Sequence, residues 1–318
     1  MQRDGTNHLE DAVLAVLRGI PIEQASRRAQ MPPARLAEAV ERYRAAGRAA
    51  LECQLTGWYQ AYITFKHYPS AARAFRAHLL PALQGEAVGR WWFLRKYPCW
   101  RLRVQPAAGT SLEDTVEHTV RALDSAVSEG DVKRWQPTAY EPERIAFGGL
   151  EGMAIAHRIF HADSMGVLMY DQFADDRMGG LPDAKTTSLL VLAFFLRAAG
   201  LEWSEQGDVW GQVEAKRALP ADVPPDKLNS LIDPMRKLLT LDTGPALSHG
   251  PLNPLRDWMA AMKDGGQDLK EAAGAGHLGL GLRGVLARHI VFHWNRMGFS
   301  IRQQAIWSRA AREALLGQ

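Results

Sequence analysis

Two arginines spaced two apart are the residues of this chain best suited to bind negative charge. Arg101 and Arg103 lie in the stretch CWRLRV, where charged residues alternate with aromatic and aliphatic ones as in a strand. Because side chains two apart in a strand point to the same face, both guanidinium groups leave one side of a sheet together. Guanidinium groups in this arrangement suit recognition of an anion or of a carbonyl oxygen.

Two later segments add residues that can donate or accept protons. The stretch YEPERIAFGG directly follows the last predicted strand, and FHADSMGVLMY belongs to the helical part that comes after it. These segments contribute Tyr140, Glu141, Glu143, Arg144, His161, Asp163, Ser164 and Tyr170. Tyrosine, serine and histidine side chains suit proton transfer. The sequence therefore predicts that these groups meet the two arginines near one edge of the sheet.

Two pairs of histidines raise the alternative of a metal site. His157 and His161 are four residues apart, as are His289 and His293, so each pair lies on one face of a helix. The chain has no HExxH motif and no cysteine near either pair, and such features would make a zinc site specific. We therefore expect histidines that form hydrogen bonds or transfer protons, and neither a metal nor an organic cofactor.

One glycine-rich stretch imitates a nucleotide-binding motif. GAGHLG, at residues 274–279, fits the pattern GxGxxG, but the preceding DLKEAA is typical of a helix, whereas a dinucleotide loop follows a strand. We interpret it as a loop. The sequence also lacks GxSxG, a Walker loop and a kinase signature, so nothing supports nucleotide hydrolysis or ordinary esterase chemistry.

The elements that must position these groups form a recognisable order. Residues 56–140 alternate as strand, helix, strand, strand, helix and strand, in the stretches GWYQAYITF, SAARAFRAHLLPALQ, GRWWFLRKY, CWRLRVQ, SLEDTVEHTVRALDSAVSEG and VKRWQPTAY. This is the ferredoxin-like arrangement, in which helices cover one face of the sheet and the other face is free to bind. Residues 150–318 show mainly helical patterns. We predict an α+β fold with a catalytic domain over 55–318, divided into an α+β part at 55–149 and a mainly helical part at 150–318.

The first 54 residues predict a small helical segment resembling a helix-turn-helix. They carry eight Lys or Arg against seven Asp or Glu, a balance that argues against DNA binding. A packing bundle, or a docking site for a peptide leader, fits this charge better.

Composition narrows the class of protein further. The chain has 318 residues, a net charge of +3 and two cysteines, which together indicate neither a nucleic-acid coat nor a disulfide framework. The longest apolar run, residues 189–196, is too short to span a bilayer, and the first residues show no signal-peptide pattern. We therefore expect a cytoplasmic protein without nucleic-acid or membrane partners, with a homodimer as one alternative.

Four separated stretches carry a family resemblance. GRWWFLRKYPCWRLRV, AYEPERIAFGGLEG, RIFHADS and HWNRMG resemble, in this order, the C-terminal glutamate-elimination domain of class I lantibiotic dehydratases. They are still more similar to stand-alone thiopeptide-type bacteriocin biosynthesis proteins, over about residues 55–315. The resemblance implies a tailoring enzyme for ribosomally made peptides, with a precursor peptide (leader plus modified core) as its partner.

The resemblance implies two alternative reactions. In one, glutamate is eliminated from a glutamylated Ser or Thr, which requires a glutamylating dehydratase as partner. Arg101, Arg103 and Glu143 match the residues expected there, but Ala146 stands where an arginine is usual, and Val291 where a histidine is usual. His293 instead lies two residues before Asn295.

The other reaction is pyridine formation, a formal aza-[4+2] cycloaddition of two dehydroalanines with loss of water and leader. The resemblance assigns catalysis to Ser164 and Tyr170, with acid–base help from Glu143 or His293 and a charge from Arg101. The departures at Ala146 and Val291 favour this reaction over elimination.

A leader-binding module without catalysis is the third alternative. The predicted substrate-binding residues are Arg103, Tyr140, Arg144, His161, Asp163, Asn295 and Arg296.

Overall fold

The stretch CWRLRV forms an inner strand of a four-stranded antiparallel sheet. The structure, a computed structural model, describes residues 3–176, 180–242, 247 and 250–317. The strands are β1 (Tyr59–Phe65), β2 (Val88–Lys96), β3 (Cys99–Pro106) and β4 (Val132–Thr138). They pair in the order β2-β3-β1-β4, and all three ladders are antiparallel. This order, with its two crossover helices, confirms the ferredoxin-like prediction.

Two helical segments cover the first face of the sheet. The first runs through α4 (Ala71–Ala74), a π-helical turn (Phe75–Leu79) and α5 (Leu80–Leu83), and the second is α6 (Leu112–Ser128). Alternation in β3 sends Trp100, Leu102 and Val104 into this layer, where all three are buried. Trp100 stacks on Phe93 of β2 with ring centroids 4.6 Å apart. Removing this apolar surface from water is what fixes which face of β3 is free for Arg101 and Arg103.

The C-terminal half is helical, as predicted. Its helices are α7 (Leu150–Asp175), α8 (Ala184–Ala198), α9 (Trp203–Lys216), α10 (Pro225–Thr240), α11 (Arg256–Gly274), α12 (Leu282–Met297) and α13 (Ile301–Leu316). Residues 243–246 and 248–249, which lie between α10 and α11 in the chain, are outside the described residues. The GAGHLG stretch closes α11 and continues into a loop, as interpreted from the sequence. The α+β class is therefore confirmed.

The helical half also packs against the sheet, and this corrects one expectation. The sequence predicts a second sheet face that is free, but α7 and α12 lie across the β2 side of that face. Both helices also bind the backbone of β2: Phe93 N–H donates to Ser164 Oγ at 3.2 Å, and Arg296 Nε donates to Phe93 O at 3.2 Å. An edge strand that would otherwise expose unpaired backbone groups is sealed in this way.

The N-terminal segment has a small core of its own. Its helices are α1 (Arg3–Leu17), α2 (Ile22–Arg28) and α3 (Pro33–Thr56), and its centre includes Val13, Leu36 and Val40. Helix α3 runs through the predicted boundary at residue 54 and reaches the opposite edge of the sheet, where Glu41 and Arg134 of β4 line one groove. No helix in the described part of the chain is long and apolar enough to cross a membrane.

We predict that adding one methyl group at Gly166 disrupts the packing of α7 on α11. A Cβ atom there would lie 2.1 Å from the Trp258 ring, so Gly166→Ala forces a core rearrangement costing about 1–3 kcal/mol. Urea denaturation should show an earlier midpoint for this variant. Gly274→Ala is the matched control, because a Cβ there meets nothing within 4 Å. Equal midpoints for the two variants would contradict the described packing.

Candidate active site

A cavity of about 280 Å³ lies between the second face of the sheet and helices α7 and α12. Strands β2 and β3 provide its floor, and the segment after β4 closes one side. Its apolar walls come from aromatic side chains, which are Trp92, Phe147, Phe160 and Phe292. The cavity therefore combines shelter from bulk water with the charged face of β3.

The charges that line the cavity are mostly positive. The cations are Lys96, Arg101, Arg103, Arg217 and Arg288, and the carboxylates are Glu141 and Glu143. The ion pair between Arg288 and Glu143 is loose, with 3.7 Å between Nη1 and Oε2. Since five cations face two carboxylates, the lining suits a ligand that carries or develops negative charge.

Arg103 is the most deeply placed of these cations. Its side chain is 6% exposed, and its guanidinium group lies 4.2 Å from the Trp92 ring centroid and 5.5 Å from that of Tyr140. Nη1 donates to the carbonyl of Arg101 at 3.3 Å, but Nε finds no hydrogen-bond partner among the described residues. Burial lowers the pKa of Arg103 to about 9, so it remains charged at neutral pH. A buried charge without a carboxylate partner is costly, and a bound anion would offset that cost.

Arg101 and Lys96 occupy the same face nearer to solvent. Arg101 stacks on Tyr62 of β1 at 4.9 Å from its ring centroid. Burial, followed by the positive charges of Arg101 and Arg217, lowers the pKa of Lys96. A lysine in such surroundings provides the neutral amine, a base, more readily than a free lysine does.

Tyr140 of the cavity lining is hydrogen-bonded through its hydroxyl group to a histidine behind it. Its Oη atom lies 2.8 Å from Nε2 of His157 on α7. Burial raises the pKa of Tyr140, so the phenol keeps its proton. Burial and the nearby Arg90, Arg103 and Arg144 lower the pKa of His157 to about 4, so the imidazole is neutral at physiological pH.

The structure brings together some of the predicted site residues and separates others. Those that line the cavity are Arg101, Arg103, Tyr140, Glu141, Glu143 and Asn295. Arg144, next to Glu143 in the segment after β4, is exposed. Nδ1 of His161 lies 2.9 Å from the Trp91 carbonyl of β2, and Ser164 accepts from the Phe93 amide as described above. Tyr170 donates its hydroxyl to the Pro182 carbonyl at 3.0 Å.

Three further predicted residues form a buried ionic cluster outside the cavity lining. Asp163 pairs with Arg296 and with Nδ1 of His293, the latter at 2.9 Å, and accepts from Trp258 Nε1 at 3.0 Å. Burial raises the pKa of Asp163, but the adjacent His293 and Arg296 outweigh it and leave the value at about 2. The carboxylate is therefore ionised and serves to join α7, α11 and α12.

This cluster also has the connectivity of a hydrolase triad. Ser188 Oγ lies 2.8 Å from Nε2 of His293, whose Nδ1 faces Asp163. However, the three side chains are no more than 1% exposed, and none of them lines the cavity. A nucleophilic serine needs room for a substrate carbonyl, so here the triad geometry has a structural role.

The four paired histidines do not converge on one point. His157 contacts Tyr140, His161 contacts the backbone of β2, and His293 belongs to the ionic cluster. His289 is buried among aromatic rings, including Phe147 at 5.0 Å between centroids, and burial lowers its pKa to about 3. Within the described ranges, no group of three or more metal-binding side chains lies close enough to hold an ion.

Sequence reasoning missed three cations of the cavity, and two of them carried a usable signal. Lys96 lies two residues beyond Leu94 on β2, so strand alternation places it on the face of Arg101. Arg288 and Asn295 are seven apart on α12, with Val291 between them on the same helical face. Arg217 follows α9, and no sequence pattern connects that position to the sheet.

Comparison with known proteins is consistent with this geometry. The family model described as lantibiotic biosynthesis dehydratase C-term matches residues 58–315. The match spans most of the chain, and the protein therefore belongs to this family. No curated protein sequence gave a significant match.

Two solved structures share the fold. One is the tRNA-dependent lantibiotic dehydratase MibB from Microbispora sp. 107891, with 17% identity and a TM-score of 0.53. The other is the pyridine synthase TbtD from thiomuracin biosynthesis, with 15% identity and a TM-score of 0.53. Each similarity covers 82% of this chain, but it spans 28% of the dehydratase and 98% of the pyridine synthase.

We predict that Asp163→Asn destabilises the protein by about 3–5 kcal/mol, because it leaves Arg296 buried without a carboxylate. Urea denaturation at neutral pH measures the loss. The contribution of Asp163 also depends on pH. Its folded pKa, at about 2, lies below the ordinary value, so its stabilisation is present above that ordinary value and declines as the pH falls towards 2. A variant as stable as the wild type at neutral pH would show that the cluster does not join the helices.

Proposed function

We propose that this protein modifies a precursor peptide by eliminating glutamate from glutamylated serine or threonine. The observation that carries the proposal is Arg103, a buried guanidinium with an unused Nε–H in a cavity where cations outnumber carboxylates. A glutamyl ester brings a free carboxylate and releases a second one as it leaves. Such a substrate supplies the negative charge that the cavity lacks.

The elimination divides into three events that the lining residues can support. A base removes the Cα proton of the modified residue, the electron pair forms the Cα–Cβ double bond, and the Cβ–O bond breaks to release glutamate. Arg101 and Arg103 stabilise the departing carboxylate through charge and hydrogen bonds. Lys96, Glu141 and Glu143 are the basic side chains that line the cavity. A neutral amine is a stronger base than a carboxylate, and the lowered pKa of Lys96 makes its neutral form more available.

This proposal reverses the preference drawn from the sequence. That preference depended on the departures at Ala146 and Val291. The cycloaddition would also use Ser164 and Tyr170, whose hydroxyl groups have protein partners away from the cavity. The catalytic roles assigned to these two residues and to His293 remain predictions. The proposal also implies the glutamylating dehydratase partner, because the substrate must first receive its glutamate. A homodimer and a cytoplasmic location stay predictions too.

Pyridine formation is the second candidate function, and a residue that α12 contributes to the cavity wall favours it. Val291 lies in the cavity lining, where the family resemblance places a histidine. Ala146, in the segment bordering the cavity, replaces the arginine that elimination enzymes are expected to use. In a cycloaddition, the cations would stabilise the anionic form of the peptide amide that becomes part of the diene, and most of the acceleration would come from positioning.

Two peptides distinguish the candidates. Purified protein is mixed with a peptide carrying glutamyl-serine, and separately with one carrying azoles and two dehydroalanines, and the masses are followed. Loss of glutamate from the first peptide supports elimination. Release of a cyclic product and a free leader from the second instead supports pyridine formation. Binding of the leader without any reaction would leave the protein as a docking module.

We predict that Arg103→Ala lowers kcat for glutamate loss by about 10²-fold, because one charged donor to the leaving carboxylate is removed. The rate is measured by mass spectrometry on the glutamyl-serine peptide. Arg121→Ala is the matched control, since Arg121 is on α6, with a side chain 69% exposed, and that helix covers the other face of the sheet. If both variants keep the wild-type rate, Arg103 does not contact the reacting group.

We predict that Lys96 sets the alkaline part of the pH profile. If its neutral amine is the base, kcat rises with pH until the lowered pKa of Lys96 is passed, and Lys96→Gln removes that rise. The profile is measured from pH 6 to pH 10, in roughly unit steps, for wild type, Lys96→Gln and Glu143→Gln. A rise that survives in Lys96→Gln would show that Lys96 is not the base.

A further inference from the structure

The cavity has no histidine in its described lining, but one lies a single hydrogen bond behind it. Tyr140 is 4% exposed and His157 is 9% exposed, and the contact between Oη and Nε2 is 2.8 Å. His157 is on α7, one turn beyond Met153 of the cavity lining, so the pair connects the wall of the cavity to the interior of the fold. A proton-transfer group is therefore present one step from the site.

Aromatic packing fixes the position of both rings. The His157 ring lies 4.4 Å from that of Trp58, between centroids, and the Tyr140 ring lies 5.9 Å from that of Trp92 in an edge-to-face contact. Side chains held on several sides in this way lose little further freedom when substrate binds. The hydroxyl group of Tyr140 is thus placed before the substrate arrives.

Burial, together with the charges around the pair, keeps the imidazole neutral, and its tautomer then decides which way the hydrogen bond runs. Arg103, beside the Tyr140 ring, and the more exposed Arg90 and Arg144 all disfavour an imidazolium at His157. A neutral imidazole carries a single N–H. When that N–H is on Nε2, it donates to the phenol oxygen, and the proton of the phenol is then free to point into the cavity. Arg103 favours the same direction of the hydrogen bond, with the phenol oxygen as acceptor, because its positive charge stabilises negative charge on that oxygen.

We propose that Tyr140 is a catalytic residue that donates a hydrogen bond to the substrate oxygen on which negative charge develops, and that His157 is the positioning residue that orients it. The inference rests on the proposed elimination for its chemistry. Removal of the Cα proton leaves negative charge on the adjacent carbonyl oxygen of the peptide. Tyr140 stabilises this oxygen, while Arg101 and Arg103 stabilise the departing carboxylate, so the two charges are met by different groups.

If Tyr140 acts only on the reacting oxygen, its substitution should change kcat and leave KM nearly unchanged. Tyr140→Phe keeps the ring that packs on Trp92 and removes only the donor, so we expect kcat to fall by about 10²-fold with little change in KM. His157→Leu should lower kcat in the same direction, and His157→Gln should restore part of it, because a side-chain amide can still donate to the phenol oxygen. Tyr97→Phe is the matched control, since Tyr97 is 82% exposed.

The double variant gives a sharper test of the dyad. If His157 acts only through Tyr140, then His157→Leu has little further effect on kcat once Tyr140→Phe is present. Independent losses that multiply in the double variant would overturn the assignment. So would a His157→Leu protein that loses stability in urea but keeps the wild-type kcat, because His157 would then have a purely structural role.

A measurement without turnover separates this inference from the proposed function. Nitrogen NMR of histidine-labelled protein reports which ring nitrogen of His157 carries the proton. We expect protonated Nε2 in the wild type and a changed Nε2 signal in Tyr140→Phe. A proton on Nδ1 alone would mean that Tyr140 donates to His157, and the inference would fail. Lack of activity on the glutamyl peptide, combined with protonated Nε2, would remove the proposed reaction and leave the orientation of the dyad intact.

Discussion

The ionic cluster of Asp163, His293 and Arg296 is the interaction on which the cavity depends. It joins α7 to α12 in the interior, and Arg296 extends the connection to the backbone of β2. Because charges in the interior are stable only when paired with good geometry, the cluster admits one mutual arrangement of these elements. The cavity is the space left between the sheet and the two helices when that arrangement is formed.

Charge is distributed unevenly on the two sides of β2. On the interior side, Arg296 has a carboxylate partner in Asp163, and the result is rigidity. On the cavity side, Arg103 has aromatic neighbours and a backbone carbonyl in place of a carboxylate. Arginine side chains therefore have opposite roles on the two sides of β2. What distinguishes them is whether their charge is satisfied within the protein or left for a ligand.

The sequence predicted the sheet far better than it predicted the site. Strand alternation placed Arg101 and Arg103 correctly, since a period of two needs only local information. The alternation did not show that Ser164 and Asp163 of α7 face β2. Their orientation depends on the ion pair between Asp163 and Arg296, which is 133 residues further along the chain. His157 and Tyr140 were likewise assigned to separate roles, although each was visible in the sequence. The contact between Tyr140 and His157 depends on how the loop after β4 positions the start of α7, and no local sequence pattern predicts that position.

The distance along the chain between the two walls of the cavity has a consequence for biosynthesis. The floor is complete once β4 has been made, but α12 is translated much later, and closing so long a loop is slow relative to forming local structure. A nascent chain that has folded its sheet therefore presents Arg101 and Arg103 on an open surface, without shelter from water. The enclosed cavity forms only after translation has passed Arg296, so an incomplete chain has the cations without their surrounding walls.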